Sequence, residues 1–386
     1  MCKKGLTKPS QREGCFIAFF AKEINYKYIH AFRAPAPSLR GRAGERPIIM
    51  KVIDIIKQAK ESGKSRFSFE LLPPLKGDGI EKIYGAIDSL MPYNPAFINI
   101  TCHREEMKYT ERPDGLIEKH IVRRRPGTVG VSAAIMRKYG VEVVPHVICG
   151  GQSRYDIEDS LIDLDFLGIQ NILALRGDAM HGDSRFSAHD EGYEHADELV
   201  KLVMEMNDGK FIDGEPDTQH NTDFCIGVAG YPEKHVESPN RLTDLGYLKQ
   251  KIDAGAEYIV TQMCFDADTI IKFRDDCAKA GINAEILPGL KPFATKTQLT
   301  ILPHTFAVDL PQELVEKVML CKNNNDVKKV GVEWAIKQGE ALLKAGFPIL
   351  HFYTMTKTEQ VKQIVEELWP LTRPTDTLSP RGEGKS

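Results

Sequence analysis

The sequence predicts an α/β fold, a (β/α)8 TIM barrel built as a single domain with insertions. Three observations carry that expectation. Eight short apolar runs occur in the chain, amphipathic stretches with helical spacing separate them, and the alternation extends over about 320 residues. A strand–helix unit repeated eight times over that length fits a closed barrel with insertions better than an open doubly wound sheet.

Taken in order, organised structure is expected to begin at Met50, where MKVIDIIKQAK carries helical apolar spacing at Val52, Ile53, Ile55 and Ile56. The apolar runs RFSFEL, FINITC, VEVVPHVIC, NILALRG, FCIGVAGYP, YIVTQMCF, AEILPGLKP and ILHFYTM follow, starting near 66, 97, 141, 171, 224, 258, 284 and 349. Most are near-continuous rather than alternating, as parallel strands covered on both faces should be. Between them, SLIDLDFLG, ADELVKLVMEM, LGYLKQKIDAG and TIIKFRDDCAKAG read as helices, several closed by a glycine suited to a C-cap. The longest insertions are expected at 103–140, at 208–222 and between runs seven and eight.

Composition narrows the partner. Hydrophobic residues make up 42% and charged residues 27%, as in globular proteins, and 51 basic against 54 acidic residues leave no field to favour nucleic acid or an anionic membrane. No run is long enough to span a membrane, so a small molecule is the expected partner. Eight cysteines occur without a CxxC pair, so neither a disulfide framework nor a metal site is expected, and a reducing, cytoplasmic setting is. Residues 1–49 hold ten Lys or Arg against three acids and end in APAPSLRGRAGERP. They are expected to be a basic extension outside the fold, disordered or added by an upstream start codon, rather than a signal or transit peptide. The barrel is expected over 50–370, and 371–386 as a flexible tail.

In such a barrel the chemistry sits where strands end and βα loops begin. Those ends offer Glu70, Thr101, His146, Asp178, Tyr231, Gln262 and Tyr353, and seven polar groups around one ring mark a pocket. Glu70 lies in FSFELLPP, just ahead of two prolines. Partial desolvation there would raise its pKa towards that of a general acid, and a structural salt bridge is an equally weighted alternative. In ALRGDAM, Arg176 can pair with phosphate, Gly177 admits close approach, and Asp178 can accept two hydrogen bonds from an amino-pyrimidine edge, against a surface turn as the plainer reading. Tyr231 and His235 in AGYPEKH can wall a planar cofactor, although core and solvated-loop roles weigh slightly more. His146 reads by default as a satisfied core histidine, whereas the Gln262 amide on an apolar strand must find hydrogen bonds. The two GKS triplets lack the earlier glycine of a phosphate loop, with Gln58 and Ser379 in its place, and GxGxxG is absent, so any dinucleotide must bind the barrel itself.

The segments FSFELLPP, FINITC, PHVIC, LALRGD, AGYPEKH, DAGAEYIVTQ, ILPGLKP and HFYTM, in this order, resemble the methylenetetrahydrofolate reductase family in its bacterial, single-catalytic-domain form, over about residues 51 to 369. The resemblance implies non-covalent FAD, NADH or NADPH as co-substrate, and ping-pong hydride transfer that reduces 5,10-methylenetetrahydrofolate to 5-methyltetrahydrofolate for methionine synthesis, in a homo-oligomer. It places the catalytic roles on Glu70, which protonates N10, and on Asp178. It places FAD contacts on Thr101, His146, Arg176, Gly177, Asp178, His195, Ala196, Tyr231, His235, Asp244 and Lys251. Folate and nicotinamide contacts fall on Gln262, Gln298, Tyr353 and Lys357, with no metal.

Lys357 stands where the family often has an arginine, which turns a bidentate contact into a single charge, and Cys102 and Arg104 replace commoner residues beside the flavin. Because the sequence stops soon after the last run, a regulatory domain and inhibition by S-adenosylmethionine are not expected, and NADH is the preferred donor. Two other readings compete. A different flavin barrel, such as a proline dehydrogenase, would want basic residues for an amino-acid carboxylate. A zinc-dependent methyltransferase would want a cysteine cluster.

Overall fold

Each of the eight apolar runs forms a stave of one parallel barrel. A computed structural model describes residues 50–180, 183, 185–214 and 220–371, within a unit spanning Pro47–Ser386, so the expectations for 1–49 and for nearly all of the tail lie outside the described residues. In chain order the elements are α1 (Val52–Ser62), β1 (Arg66–Leu71), α2 (Glu81–Leu90), β2 (Ile98–Ile100), β3 (Glu106–Glu111), β4 (Ile117–Val122), α3 (Thr128–Tyr139), β5 (Val143–Ile148), α4 (Arg154–Phe166), β6 (Asn171–Leu175), α5 (Ala196–Asn207), β7 (Cys225–Gly230), α6 (Arg241–Asp253), β8 (Tyr258–Thr261), α7 (Ala267–Lys279), β9 (Glu285–Leu287), β10 (Gly289–Leu290), α8 (Gln298–Phe306), α9 (Gln312–Leu320), α10 (Asn324–Lys344), β11 (Ile349–Tyr353) and α11 (Glu359–Leu368). The sheet runs β10-β11-β1-β2-β5-β6-β7-β8-β9 with every pairing parallel.

The ring closes because β9 and β10 are halves of one stave. Pro288 lies between them and lacks the N–H a ladder needs, but its carbonyl still accepts from the His351 amide at 2.8 Å. Strand alternation sends Phe67, Phe69 and Leu71 of β1 out against the helices, leaving Ser68 and Glu70 to face the barrel axis.

α1 closes the end of the barrel where the strands begin. Val52, Ile55, Ile56 and Ala59 pack on Phe97, Val144, Leu173, Cys225, Tyr258, Leu287 and Ile349, while Ile53, expected in the same apolar set, is only partly buried. Polar ties at the strand starts hold the helix in place: Asn171 Oδ1 accepts from the Val52 amide at 2.8 Å and Glu142 Oε1 from the Met50 amide at 2.9 Å. With that end plugged, only the C-terminal ends of the strands open outward.

Two insertions carry structure of their own. The 103–140 stretch holds the antiparallel hairpin β3–β4, whose side chains are almost all exposed, and then α3. Helices α8 to α10, between the last two staves, build a separate small core around Phe265, Phe293, Leu302 and Leu314. Among the described residues, no helix is long and apolar enough to cross a membrane.

Candidate active site

The strand ends collect the expected residues at one mouth. Glu70 is the fifth residue of β1 and pairs in register with Asn99 of β2 and Tyr353 of β11. Its carboxyl is buried, and burial pushes it from 4.5 up to about 8, the ammonium of Lys291 pulling in the opposite direction. Oε2 lies 3.7 Å from His146 Nε2, but burial also drives that imidazole down to about 3. Burial thus favours the neutral form of both partners in this contact. His146 is buried as a core histidine should be, its Nε2 also 3.3 Å from the Asn99 amide.

A second polar pair lies beside this one on the barrel axis. Ser68 Oγ and His351 Nδ1 are 2.9 Å apart, and burial holds His351 down at about 3 as well. His351 Nε2 and Asn99 Oδ1 are buried with no partner among the described residues. Tyr353 donates to the Thr261 carbonyl at 2.7 Å, a reach that depends on Gly289: a Cβ there would meet Thr261 O at 2.2 Å and the Tyr353 ring at 2.6 Å.

Across the mouth, the loop after β6 presents Arg176, Gly177 and Asp178. Gly177 has φ 86°, a left-handed conformation that favours glycine, and a Cβ there would rest against Ile148 at 3.4 Å. Arg176 bonds Glu237 at 2.6 Å and lies 4.8 Å over the Phe186 ring, at one side of a cleft of about 420 Å³ that also takes in His189 and His195. His195 stands at the start of α5 and lines the same cleft as Arg176, while Glu198 Oε2 accepts from the Glu194 and His195 amides at 2.8 and 2.9 Å. Arg104 spans from the Asp178 carbonyl (3.4 Å) to Gly151, with its buried Nε unpartnered among the described residues.

Tyr231 and His235 meet edge to face at 4.7 Å after β7. Behind them on α6, Lys251 donates to the Ala229 carbonyl and is pushed down to about 8 by burial, with Asp244 opposing, and Asp244 itself accepts from Ser238 Oγ at 2.6 Å. Thr101 follows β2 and bonds the Leu71 carbonyl at 3.2 Å. Gln262 follows β8, and its Oε1 accepts from the Met263 amide at 2.9 Å, which leaves the amide nitrogen for a ligand.

Two expected residues are placed differently. Gln298 turns its Oε1 back onto the amides of Ala294 and Thr295, at 2.7 and 2.9 Å, and so ties down the loop that precedes its own helix. Lys357 is exposed beyond a bend in which Met355 and Thr356 take φ of 49° and 66°.

Sequence reasoning passed over three residues of the interior: Asn99, His351 and Lys291. The first two were hidden inside apolar runs. The third carried a signal, a lysine two positions after a strand glycine in ILPGLKP.

Fold and mouth together define a (β/α)8-barrel protein whose strand ends ring a buried carboxyl group. The family model described as methylenetetrahydrofolate reductase matches residues 55–369, and the chain belongs to that family. It is 32% identical over 316 residues to methylenetetrahydrofolate reductase (NADH) 1 of Arabidopsis thaliana, covering 79% of this chain and 48% of that one. It is 30% identical to the 5,10-methylenetetrahydrofolate reductases of Salmonella typhimurium, covering 80% of this chain and 93% of that one, and of Pectobacterium carotovorum, at 78% and 89%. The chain spans about half the length of the plant and fungal relatives it matches, and most of the length of the bacterial ones.

Proposed function

We propose that this protein reduces 5,10-methylenetetrahydrofolate to 5-methyltetrahydrofolate, with FAD held non-covalently in the barrel mouth and NADH or NADPH as the electron source. The observation that carries the reading is Glu70: a carboxylic acid buried at the end of a barrel strand that keeps its proton to about pH 8. The substrate is an aminal, and it accepts hydride only after N10 is protonated and the five-membered ring opens. A proton-bearing acid near neutral pH meets that requirement.

The residues present suit FAD. Arg176, His189 and His195 line one cleft that can take a pyrophosphate, Gly177 turns the chain beside it, and the unpartnered Arg104 Nε lies in the same quarter of the mouth. When bound there, FAD supplies the hydride carrier between nicotinamide and folate. Tyr231 and His235 wall the mouth after β7, and Thr101 and His146 lie further round the ring after β2 and on β5. Lys251 and Asp244 set the charge behind the Tyr231 wall.

Asp178 is exposed at the start of the loop after β6, where it can accept two hydrogen bonds from the amino-pyrimidine edge of a pterin. The Gln262 amide nitrogen and Tyr353 complete the polar rim. In the acid step the Glu70 proton passes to N10 of the substrate and the carbon–N10 bond breaks.

Purified protein should be yellow, should bleach on anaerobic addition of NADH or NADPH, and should regain its colour when methylenetetrahydrofolate is added. A colourless preparation that takes up no FAD, or a bleached one that the folate does not reoxidise, would overturn the reading.

A further inference from the structure

Register places a lysine in the same layer as the acid, one strand beyond its neighbour β11. Gly289 pairs with His351 and Leu290 with Phe352, so the next residue, Lys291, stands opposite Tyr353, which pairs with Glu70. Leu290 and Phe352 belong to the outer core, and alternation therefore puts Lys291 on the inward face with Tyr353 and Glu70. Lys291 is half-buried, and among the described residues its ammonium has no carboxylate within 4.0 Å and donates no hydrogen bond.

The groups facing the Glu70 carboxyl come from every neighbouring strand. β5 contributes His146, held neutral, and β2 contributes Asn99, which carries no charge. β11 contributes Tyr353, whose phenol burial drives well above 10.0, and His351, neutral and paired with Ser68 of β1. Lys291 brings the one positive charge to act on this carboxyl.

We propose that Lys291 is a positioning residue for the acid step: held by strand register in the same inward layer as Glu70, with only β11 between them, its ammonium balances the carboxylate left when the proton has gone to the substrate. The inference rests on Glu70 being the acid. The proton lost is that of the Glu70 O–H, Lys291 keeps its own three, and water at the mouth restores the carboxyl. A buried carboxyl with no such neighbour would hold its proton more tightly and protonate N10 more slowly, because desolvation acts unopposed. Lys291 thus offsets part of what burial does to the acid.

The test is an infrared pH titration of the protein as purified. The carboxyl band of Glu70 is assigned by its loss in Glu70→Gln. Removing the ammonium in Lys291→Met should raise the pH at which that band disappears by about one unit or more, and Lys291→Arg should hold it near the wild-type value. In stopped-flow measurements of folate reduction by the pre-reduced enzyme, the alkaline limb of the Lys291→Met profile should move up by the same amount. Lys291→Gln is the second variant, with the same expectation, should the methionine variant not fold. A band whose midpoint is unchanged in the neutral variants overturns the proposal even if Glu70→Gln is inactive. If the band moves but Glu70→Gln still reduces the folate at the wild-type rate, the coupling stands, the role of Glu70 as acid falls, and the positioning role falls with it.

Discussion

At the scale of single residues, the balance that matters is at Glu70. An exposed carboxyl titrating at 4.5 would be almost wholly ionised at pH 7, with no proton to give, whereas one held at about 8 is mostly protonated there. Each unit of such a shift represents about 1.4 kcal/mol of differential interaction, and here burial outweighs the opposing ammonium. Glu70→Gln preserves shape and hydrogen bonding but removes the acidic proton. Reoxidation of reduced flavin by methylenetetrahydrofolate should therefore slow by roughly 10²- to 10⁴-fold, while reduction by the nicotinamide, which needs no protein acid, should change far less. Stopped-flow measurement of the two half-reactions separates them, and near-normal reoxidation would remove Glu70 from the mechanism. Glu70 could be read from sequence because a carboxylate followed by two prolines marks a strand end. Asn99 and His351 could not, because a polar residue within an apolar run gives no sign of facing the barrel axis rather than the helices. Lysine is read by default as solvated, and only the register with β11 shows Lys291 turned inward.

At the scale of elements, continuous apolar runs located all eight staves, and the observed starts lie within two residues of the expected ones. The sequence does not reveal that Pro288 divides one stave in two while the ring still closes, since that depends on a carbonyl bond to His351 from the neighbouring strand. The β3–β4 hairpin went unread for a different reason. Its strands EMKYTE and IEKHIV have no buried face, so they lack the periodicity that burial imposes. Tyr109, Leu116, Ile117 and Ile121 are exposed on it, and none of its residues enters a core cluster. A two-stranded hairpin of this kind adds little to a barrel's stability. Because Glu106 and Val122 are paired neighbours, a short Gly/Ser turn can join residues 105 and 123. That replacement should leave the thermal midpoint within a few degrees of wild type, since surface changes of this kind stay within about 0.5 kcal/mol. Loss of the cooperative transition would mean that the hairpin supports the fold.

At the scale of the whole molecule, the polar barrel interior ties stability to pH. His146 and His351 remain neutral in the folded barrel down to about 3, whereas in the unfolded chain they take up protons near 6.5. Between those values the unfolded state binds up to two more protons than the folded one, so stability falls as pH falls, by up to about 1.4 kcal/mol per pH unit for each histidine. Glu70 acts in the opposite sense between 4.5 and about 8, where the folded carboxyl keeps a proton the unfolded one has lost, so its contribution weakens stability as pH rises. The windows overlap from 4.5 to 6.5, and there the two histidines outweigh the one carboxyl, so these three interior groups together add about one proton's worth of rising slope to whatever the rest of the chain contributes. His351→Gln removes one of the two imidazoles, away from the strand ends that line the mouth. Its free energy of unfolding, measured in urea between pH 4.5 and 6.5, should lose about one proton's worth of slope relative to wild type, even if its absolute stability is lower. His351→Asn should do the same. Slopes identical to wild type in both variants would mean that His351 takes up its proton in the folded barrel, and the buried Ser68–His351 pair would then have to carry a charge that its surroundings give it no partner to balance.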